Sequence, residues 1–469
     1  MALFLTPVLK VRTDMPLYQQ LYQHIKAEII AGHLVAEQKL PSKRRLAEHL
    51  DVSQNTVKGA YEQLLEEGYI SSKERSGYFV QEIRNLVQVP KVAEHIEEPG
   101  TEKPQWIVDF GYHGVDLEHF PFLILRKLAK DILGQRDPAF LRRVDPQGYK
   151  PLRDAIASYL HNARGVHCNP EQIVISSGTE FLFSILFQVL PDHFLYGIED
   201  PGQDRLPLLF RRNRAQWVPM AMDVDGMRTD SVRESGVDVL CITPAHQFPS
   251  GTIMSVGRRT ELLEWAGQKP SRYLVEDDYD GEFKYGGVPV PALQSLDGHE
   301  RVVYMGTFSK ALTPSLRISY MVLPEHLLRL YRRTLSYLIC PVPLLDQMLL
   351  YRFIQDGYFE RHLNQMRTIY RRKREALVKG LRNLSGAIHV QGAEAGLHLV
   401  LKVNNGMTEG QLIAAAQACG VKVYGMSAYR IQSSESPIPE ILIGYASVTL
   451  SDVEKGVGLL AEAWFGGAT

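Results

Sequence analysis

The sequence lacks several features that mark whole classes of protein. Its four cysteines, Cys168, Cys241, Cys340 and Cys419, are widely scattered, so they predict neither a disulfide framework nor a zinc-ligand spacing. No uninterrupted apolar run is long enough to cross a bilayer. Residues 1–10 lack the basic flank, apolar run and cleavage site of a secretory signal, which predicts a cytoplasmic location.

The chain also has almost no net charge, because 52 Lys and Arg face 53 Asp and Glu. This balance argues against a protein that coats nucleic acid indiscriminately, but it allows a local basic face. At 469 residues the chain exceeds what one hydrophobic core usually serves. We predict a small domain over 1–82, a linker over 83–105, where a polar stretch is rich in proline and charge, and a large domain over 106–469.

Three short helices are predicted within the small domain. Apolar side chains recur every four residues through the first helix, at Leu17, Leu21, Ile25 and Ile29. Ser42 and Ser53 each precede a further amphipathic stretch and are placed to cap its first turn. Two short strands, 70–72 and 78–80, then flank a glycine-containing turn. The pattern is a helix-turn-helix followed by a hairpin wing.

In a winged helix-turn-helix, the second helix of the motif enters the major groove of DNA. Amides at the start of that helix can read base edges, and nearby cations and hydroxyls can hold phosphates. The residues predicted to bind DNA are Ser42, Lys43, Arg44, Ser53, Gln54, Asn55, Thr56, Lys58, Lys73 and Arg75. From the pattern alone, a small helical module for oligomerisation or protein docking is the alternative interpretation.

The small domain closely resembles the GntR-type winged helix domain. The resemblance covers the whole domain and is carried by PSKRRLA over 41–47, VSQNTV over 52–57 and GYFV over 77–80. That pattern commonly has an arginine where this chain has Gln54. The resemblance therefore implies binding to double-stranded operator DNA without fixing the operator sequence.

In the large domain, apolar runs typical of strands alternate with amphipathic stretches, which predicts an α/β domain with a mostly parallel sheet. Ligands in such folds gather where strands end. After the run 173–175, the sequence Ser177-Gly178-Thr179 opens a helix and outlines an anion site. Ordinary helix capping is the alternative for these hydroxyls.

Two further strand ends carry reactive groups. The run 272–275 leads into five residues that hold four carboxylates, among them Asp277. With no histidine nearby in the sequence, a carboxylate facing a protonated pyridine nitrogen explains this cluster better than a metal site; a solvated acidic loop is the alternative. Lys310 follows another strand, and an amine desolvated beside a cation such as Arg317 can form a Schiff base with an aldehyde.

These stretches resemble the fold-type I pyridoxal-phosphate aminotransferases from Trp106 to Trp464. More narrowly, DPQGY over 145–149, EDPG over 199–202, PAHQFPSG over 244–251, EDDYD over 276–280 and GTFSK over 306–310 resemble the MocR/GabR regulators. That family joins a GntR-type winged helix to an aminotransferase-like domain. The resemblance implies a domain-swapped, head-to-tail homodimer with pyridoxal 5'-phosphate as its cofactor.

The resemblance also implies roles for individual residues. Lys310 carries the internal aldimine, Asp277 pairs with the pyridine nitrogen, and Tyr279 lies near the ring hydroxyl. The residues implied around the phosphate are Ser177, Gly178, Thr179, Ser309 and Arg317. Arg205 and Arg430 resemble two family positions that grip an effector's carboxylate, a task that suits a guanidinium. No metal ligand is implied.

The chain departs from working aminotransferases at several positions. Phe248 stands where an asparagine usually bonds the ring hydroxyl, and His246 or Gln247 is placed to compensate. Gln203 replaces an aromatic that covers the ring, and the strand 441–445 lacks the arginine that clamps an α-carboxylate. The sequence therefore predicts a regulator that senses a small amino acid or amine through aldimine exchange at Lys310. An active aminotransferase with an attached DNA-binding domain is the alternative.

Overall fold

The computed structural model describes residues 15–73, 76–82, 106–135, 137–286, 291–384, 386–432 and 438–466. The chain forms two compact units, Met1–Lys103 and Pro104–Thr469. Arg75 and the predicted linker lie outside the described residues, and the predicted domain bounds stay a prediction.

The first unit contains three helices and a hairpin in the predicted order. They are α1 (Leu17–Ile30), α2 (Lys43–Leu50), α3 (Gln54–Glu66), β1 (Ile70–Lys73) and β2 (Gly77–Val80). The Ser42 hydroxyl accepts the N–H of Arg45 at 3.3 Å, and the Ser53 hydroxyl accepts the N–H of Thr56 at 3.1 Å. Both helices of the motif therefore begin at the serines that the sequence indicates.

One apolar core joins the helices and the wing of this unit. Leu21, Ile25, Val57 and Leu64 are fully buried in it. Tyr61 is also buried, donates its hydroxyl to the carbonyl of Pro41 at 2.9 Å and meets the ring of Tyr78 edge-on. The turn before α2, helix α3 and strand β2 are thus held in one arrangement. The predicted winged helix-turn-helix fold is confirmed.

The second unit alternates strands and helices. Its strands are β3 (Val108–Asp109), β4 (Ile173–Ser176), β5 (Leu195–Asp200), β6 (Gln216–Asp223), β7 (Gly226–Met227), β8 (Val239–Ile242), β9 (Tyr273–Asp278), β10 (Val302–Thr307), β11 (Ser319–Val322), β12 (Ile388–Gln391), β13 (His398–Val403), β14 (Val421–Lys422), β15 (Tyr424–Gly425) and β16 (Glu440–Gly444). Its helices are α4 (Phe122–Gly134), α5 (Lys150–Arg164), α6 (Thr179–Val189), α7 (Arg205–Arg212), α8 (Thr229–Ser235), α9 (Val256–Gly267), α10 (Glu325–Thr334), α11 (Leu344–Gln355), α12 (Tyr358–Leu384), α13 (Glu409–Ala418) and α14 (Leu450–Phe465).

The main sheet has the strand order β4-β11-β10-β9-β8-β5-β6-β7. Strands β10, β9, β8, β5 and β6 pair in parallel, whereas β11 and β7 run against their neighbours. The mostly parallel sheet predicted from the sequence is confirmed. Because parallel strands end at the same edge, Asp200, Asp278 and Thr307 mark one edge of the sheet.

The sheet is buried on both faces, which parallel sheets require. Alternate residues of β4 show this directly, because Ile173 and Ile175 belong to one apolar cluster while Val174 belongs to another. A second, antiparallel sheet has the order β12-β13-β16-β15. Within the described residues, no helix has the length and apolar character needed to cross a membrane.

Candidate functional site

A cavity of about 190 Å³ opens at the edge where the parallel strands end. Strands β9 and β10, the start of α6 and the start of α7 all contribute to its wall. The polar and charged residues that line it are Tyr112, His113, Thr179, Glu180, Gln203, Asp204, Arg205, Asp277, Tyr279, Thr307, Ser309, Lys310, Arg317 and Ser319. Residues far apart in the sequence therefore form one polar site.

Lys310 supplies the amine of this cavity. Its Nζ donates to the carbonyl oxygen of Tyr112 and lies 5.4 Å from the centre of the Tyr112 ring. Burial lowers the pKa of Lys310 from its ordinary 10.5 to about 8, while the charge of Asp280 opposes that shift. A substantial fraction of this amine is therefore neutral near physiological pH, which is the form that attacks an aldehyde.

The start of α6 forms the cationic end of the cavity. Gly178 occupies the N-cap of this helix, and no side chain of the described residues caps it. The guanidinium of Arg317 lies against this helix start, since a Cβ built on Gly178 would be 2.1 Å from Nη2 of Arg317. That nitrogen donates to Glu180 Oε2 at 2.9 Å, so a carboxylate sits against the guanidinium. With the hydroxyls of Thr179 and Ser309, this end suits a phosphate.

Asp277, on strand β9, forms the acidic wall of the cavity. Burial, together with the nearby charges of Asp278 and Asp280, raises its pKa to about 7. The side-chain amide of Gln203 opposes these effects by donating to Asp277 Oδ2 at 3.0 Å. Such a buried carboxylate is suited to a ligand that carries a protonated ring nitrogen.

A cluster of buried polar side chains lies beside Asp277. The hydroxyl of Tyr279 donates to the carbonyl oxygen of His246 at 2.9 Å, and His246 Nδ1 lies 3.0 Å from Asp280 Oδ2. The ring of His398 packs 4.6 Å from that of His246, and burial lowers the pKa of His398 far below its usual range. The sequence analysis names His246 for the cofactor but missed its pairing with Asp280 and the ring of His398, because these residues come from distant segments.

The cationic end, the amine and the buried carboxylate line the same cavity. Together they provide donors for a phosphate, a nucleophile for an aldehyde and an acceptor for a basic ring nitrogen. The donor set therefore fits pyridoxal 5'-phosphate. Arg317 and the start of α6 are the residues that would hold its phosphate, and Asp277 is the residue that would face its ring nitrogen.

In the first unit, the residues predicted to bind DNA occupy the exposed start of α3 and its surroundings. Gln54, Asn55 and Lys58 are exposed. Several of the predicted cations already have acidic partners, since Arg44 pairs with Glu48 at 2.9 Å, Lys58 with Glu62 at 3.7 Å and Lys73 with Glu37 at 2.9 Å. These pairs are exposed and therefore weak, so phosphate can displace the carboxylates.

Comparisons with known proteins agree with both units. Residues 17–80 match the family described as bacterial regulatory proteins, gntR family, and residues 118–457 match aminotransferase class I and II. The chain is 42% identical to the uncharacterized HTH-type transcriptional regulator YdeL of Bacillus subtilis, over 98% of this chain and 99% of YdeL. It is 33% identical to the probable rhizopine catabolism regulatory protein MocR of Rhizobium meliloti, over 97% and 95% of the two chains.

The chain belongs to the MocR-type family of transcriptional regulators. A solved structure of Pyrococcus horikoshii kynurenine aminotransferase has a TM-score of 0.69 and 24% identity, and the match covers 78% of this chain and 93% of that one. This likeness shows that the second unit of the MocR-type regulator has the aminotransferase fold.

The structure gathers most of the residues predicted for the cofactor. Gly178, Thr179, Asp277, Tyr279, Ser309, Lys310 and Arg317 all line the cavity. Ser177 is half-buried immediately before Gly178, and His246 lies behind Tyr279, so neither is among the residues that line it. Their predicted contacts with the cofactor stay predictions for this MocR-type regulator.

The two arginines predicted to bind an effector lie in different surroundings. Arg205 is the first residue of α7 and lines the cavity. Arg430 is not among the described residues that line it, and its Nη2 donates to Glu440 Oε2 at 2.6 Å. Glu440 also pairs with Lys402 at 3.3 Å. Of the two arginines, only Arg205 is therefore among the described residues that line the cavity, and their predicted effector binding stays a prediction.

Sequence reasoning missed several residues of the cavity wall, and two of them come from a distant segment. Tyr112 and His113 follow β3 and reach Lys310 from almost two hundred positions earlier in the chain. The ring of Tyr112 also packs 4.7 Å from that of Phe248. The one local signal was Gly111, which precedes the pair, and a single glycine does not indicate a site.

Proposed function

We propose that this MocR-type regulator holds pyridoxal 5'-phosphate at Lys310 and senses a small amino acid or amine there. Displacement of Lys310 by the amine changes how the winged helix unit binds operator DNA. The observation that carries the proposal is the cavity that combines a buried amine, a buried carboxylate and an uncapped helix start. Because operator DNA lies in the bacterial cytoplasm, that is the proposed location.

Each end of the cavity has a distinct task in this proposal. Bound pyridoxal phosphate supplies an aldehyde that primary amines attack reversibly. Arg317 and the N–H groups of α6 bind its phosphate, and Asp277 holds the proton of its ring nitrogen. Lys310 acts as a nucleophile because burial lowers its pKa to about 8. Tyr279 lines the same wall and is placed for the ring hydroxyl.

Arg205 is the residue that we propose for the effector's carboxylate. It lines the cavity, and its guanidinium can bind a carboxylate through two hydrogen bonds. Arg430 can take part only after its hydrogen bond to Glu440 is exchanged for one to the ligand.

The absorbance of the cofactor tests the first half of the proposal. Wild-type protein mixed with pyridoxal phosphate should develop the band of a lysine-bound aldehyde, and Lys310→Ala should not. Lys269→Ala is the matched control, because Lys269 is an exposed lysine of the same unit. Identical spectra for wild type and Lys310→Ala would show that the cofactor is not held at Lys310.

DNA binding tests the second half. The probe is a DNA fragment that the full-length protein selects from genomic DNA. Amines and amino acids, including D-isomers, are added one at a time, beginning with D-alanine and γ-aminobutyrate. An effector should change the affinity of the cofactor-loaded wild type at least fivefold and leave Lys310→Ala unchanged, since coupling requires different affinities for two states. An equal response from both proteins would contradict the proposed sensing mechanism.

The second candidate function is aminotransfer by the same site. The cavity retains both Lys310 and Asp277, which is the observation that favours it. Incubation with an amino acid and a keto acid acceptor separates the two functions. Repeated formation of amino acid product supports the enzyme, and a spectral change without turnover supports the sensor.

We propose that the regulator works as a domain-swapped homodimer. The first turn of α4 and Leu141, beyond its end, expose large apolar side chains, with Phe122, Leu123 and Leu141 at 68%, 71% and 90% exposure. Apolar surface of this kind indicates an interface, and a second copy of the chain is the proposed partner. Light scattering of the full chain should give twice the monomer mass, and Leu123→Asp should reduce that mass.

A further inference from the structure

The hydrogen bond between Gln203 and Asp277 lies directly in the cavity wall. Gln203 Nε2 donates to Asp277 Oδ2 at 3.0 Å, and both residues line the cavity. Asp277 is only 8% exposed, and the charged neighbours with the largest effect on it among the described residues, Asp278, Asp280 and Glu180, are all acidic. An amide rather than a cation therefore stabilises this buried carboxylate.

The backbone around Gln203 is held by the segment 429–432. Asp200, at the end of β5, accepts the N–H groups of Ile431 and Gln432 at 2.8 and 3.0 Å. Gly202, which precedes Gln203, donates its N–H to the carbonyl of Tyr429 at 3.0 Å. These bonds fix the turn between β5 and α7. The amide of Gln203 thus approaches Asp277 from an anchored segment, not from a mobile surface loop.

A second buried acid lies on the same side. Glu199 accepts the hydroxyl of Thr243 at 2.6 Å and the side-chain amide of Gln247 at 3.2 Å. It borders a small cavity together with Gln203 and Asp277. Two buried carboxylates in such proximity disfavour each other's ionised form. Glu199 has its own donors, and Gln203 supplies one to Asp277, where it favours the ionised form against this repulsion.

We propose that Gln203 is a positioning residue that keeps Asp277 ionised and oriented for the ring nitrogen of the cofactor. By occupying one carboxylate oxygen, it leaves the other for the ring. The inference rests on the proposed binding of pyridoxal phosphate and assigns to Gln203 a role in that binding. It also predicts that any effect of Gln203 on the cofactor depends on the negative charge of Asp277.

A double-mutant cycle on cofactor affinity tests this dependence. The full-length apo-protein is titrated with pyridoxal phosphate as wild type, Gln203→Leu, Asp277→Asn and the double variant. Leucine has nearly the volume of glutamine but donates no hydrogen bond. When Asp277 is unchanged, we expect Gln203→Leu to weaken the binding of pyridoxal phosphate about tenfold, because the lost hydrogen bond is made to a charged group. In the Asp277→Asn background, the same change should alter binding less than twofold.

The outcomes of the cycle are distinct. Equal losses in the two backgrounds would show a merely structural or steric role, and no loss in either would show that the bond is irrelevant; both results overturn the inference. If the wild type itself does not bind pyridoxal phosphate, the proposed function fails. Urea unfolding of each apo-variant identifies any loss that comes from misfolding.

Gln203→Glu gives a second readout, which a steric role cannot reproduce. An ionised carboxylate at this position repels Asp277, whereas its protonated form can donate the missing hydrogen bond. Relative to Gln203→Leu at each pH, the affinity of Gln203→Glu should therefore improve as the pH falls from 8 to 5.5. If the ratio of the affinities of Gln203→Glu and Gln203→Leu for pyridoxal phosphate does not change with pH, the inference is overturned.

Discussion

The rate at which apo-protein captures pyridoxal phosphate should depend on pH in a way that reports the environment of Lys310. Burial lowers the pKa of this amine from 10.5 to about 8. The neutral fraction of an amine falls tenfold for each pH unit below its pKa, so this shift raises the neutral fraction at pH 7 about 300-fold, from roughly 0.03% to roughly 9%. Only the neutral amine attacks the aldehyde.

The expected profile follows from these fractions. The capture rate, followed by stopped-flow absorbance, should rise about tenfold per pH unit below pH 7 and level off above a midpoint near pH 8. Asp280→Asn should move the midpoint lower, because the charge of Asp280 favours the protonated amine. Lys310→Ala provides the blank. A rate that continues to rise tenfold per unit up to pH 10 would refute a desolvated Lys310.

Three further predictions concern a buried ion pair, the cationic end of the cavity and a helix cap of the first unit. Arg164→Met should cost about 3–5 kcal/mol in urea unfolding, because it leaves Asp278 buried without the cation that lies 2.7 Å away; a cost under about 1 kcal/mol contradicts this. Gly178→Ala should weaken pyridoxal phosphate binding more than tenfold, since φ is +91° and the new Cβ meets a guanidinium nitrogen at 2.1 Å. Gly236→Ala, at φ +70° with open space around it, is the matched control and should bind normally. Ser53→Ala should cost the first unit about 1 kcal/mol by loss of a helix cap, seen as faster hydrogen exchange in α3, and an unchanged rate would show that this cap is dispensable.

Much of the fold could be predicted because its signals are local. Ser42 and Ser53 cap the helices that follow them, since a cap depends on residues within one turn. Lys310 and Asp277 come at the ends of buried apolar strands. The carboxyl ends of parallel strands lie at the same edge of a sheet, independently of the loops that connect them. Sequence reasoning could therefore bring these two residues to one site.

The remaining contacts depend on where distant segments pack. His246 and His398 flank Asp280 because separate strands and loops meet there, and no spacing in the sequence indicates it. The pairing of Arg430 with Glu440 is another such case. An arginine looks the same in the sequence whether a ligand or a neighbouring carboxylate binds it. Only the folded chain distinguishes these partners.

The central claim is that Lys310 itself holds the cofactor and gives it up to an amine. Borohydride reduction of the cofactor-loaded protein, followed by proteolysis and mass spectrometry, tests this most directly. We predict one phosphopyridoxyl mass, located on the peptide that contains Lys310, and its disappearance after preincubation with the effector amine. The label on other lysines, or a Lys310 label that no amine removes at any concentration, would contradict the account.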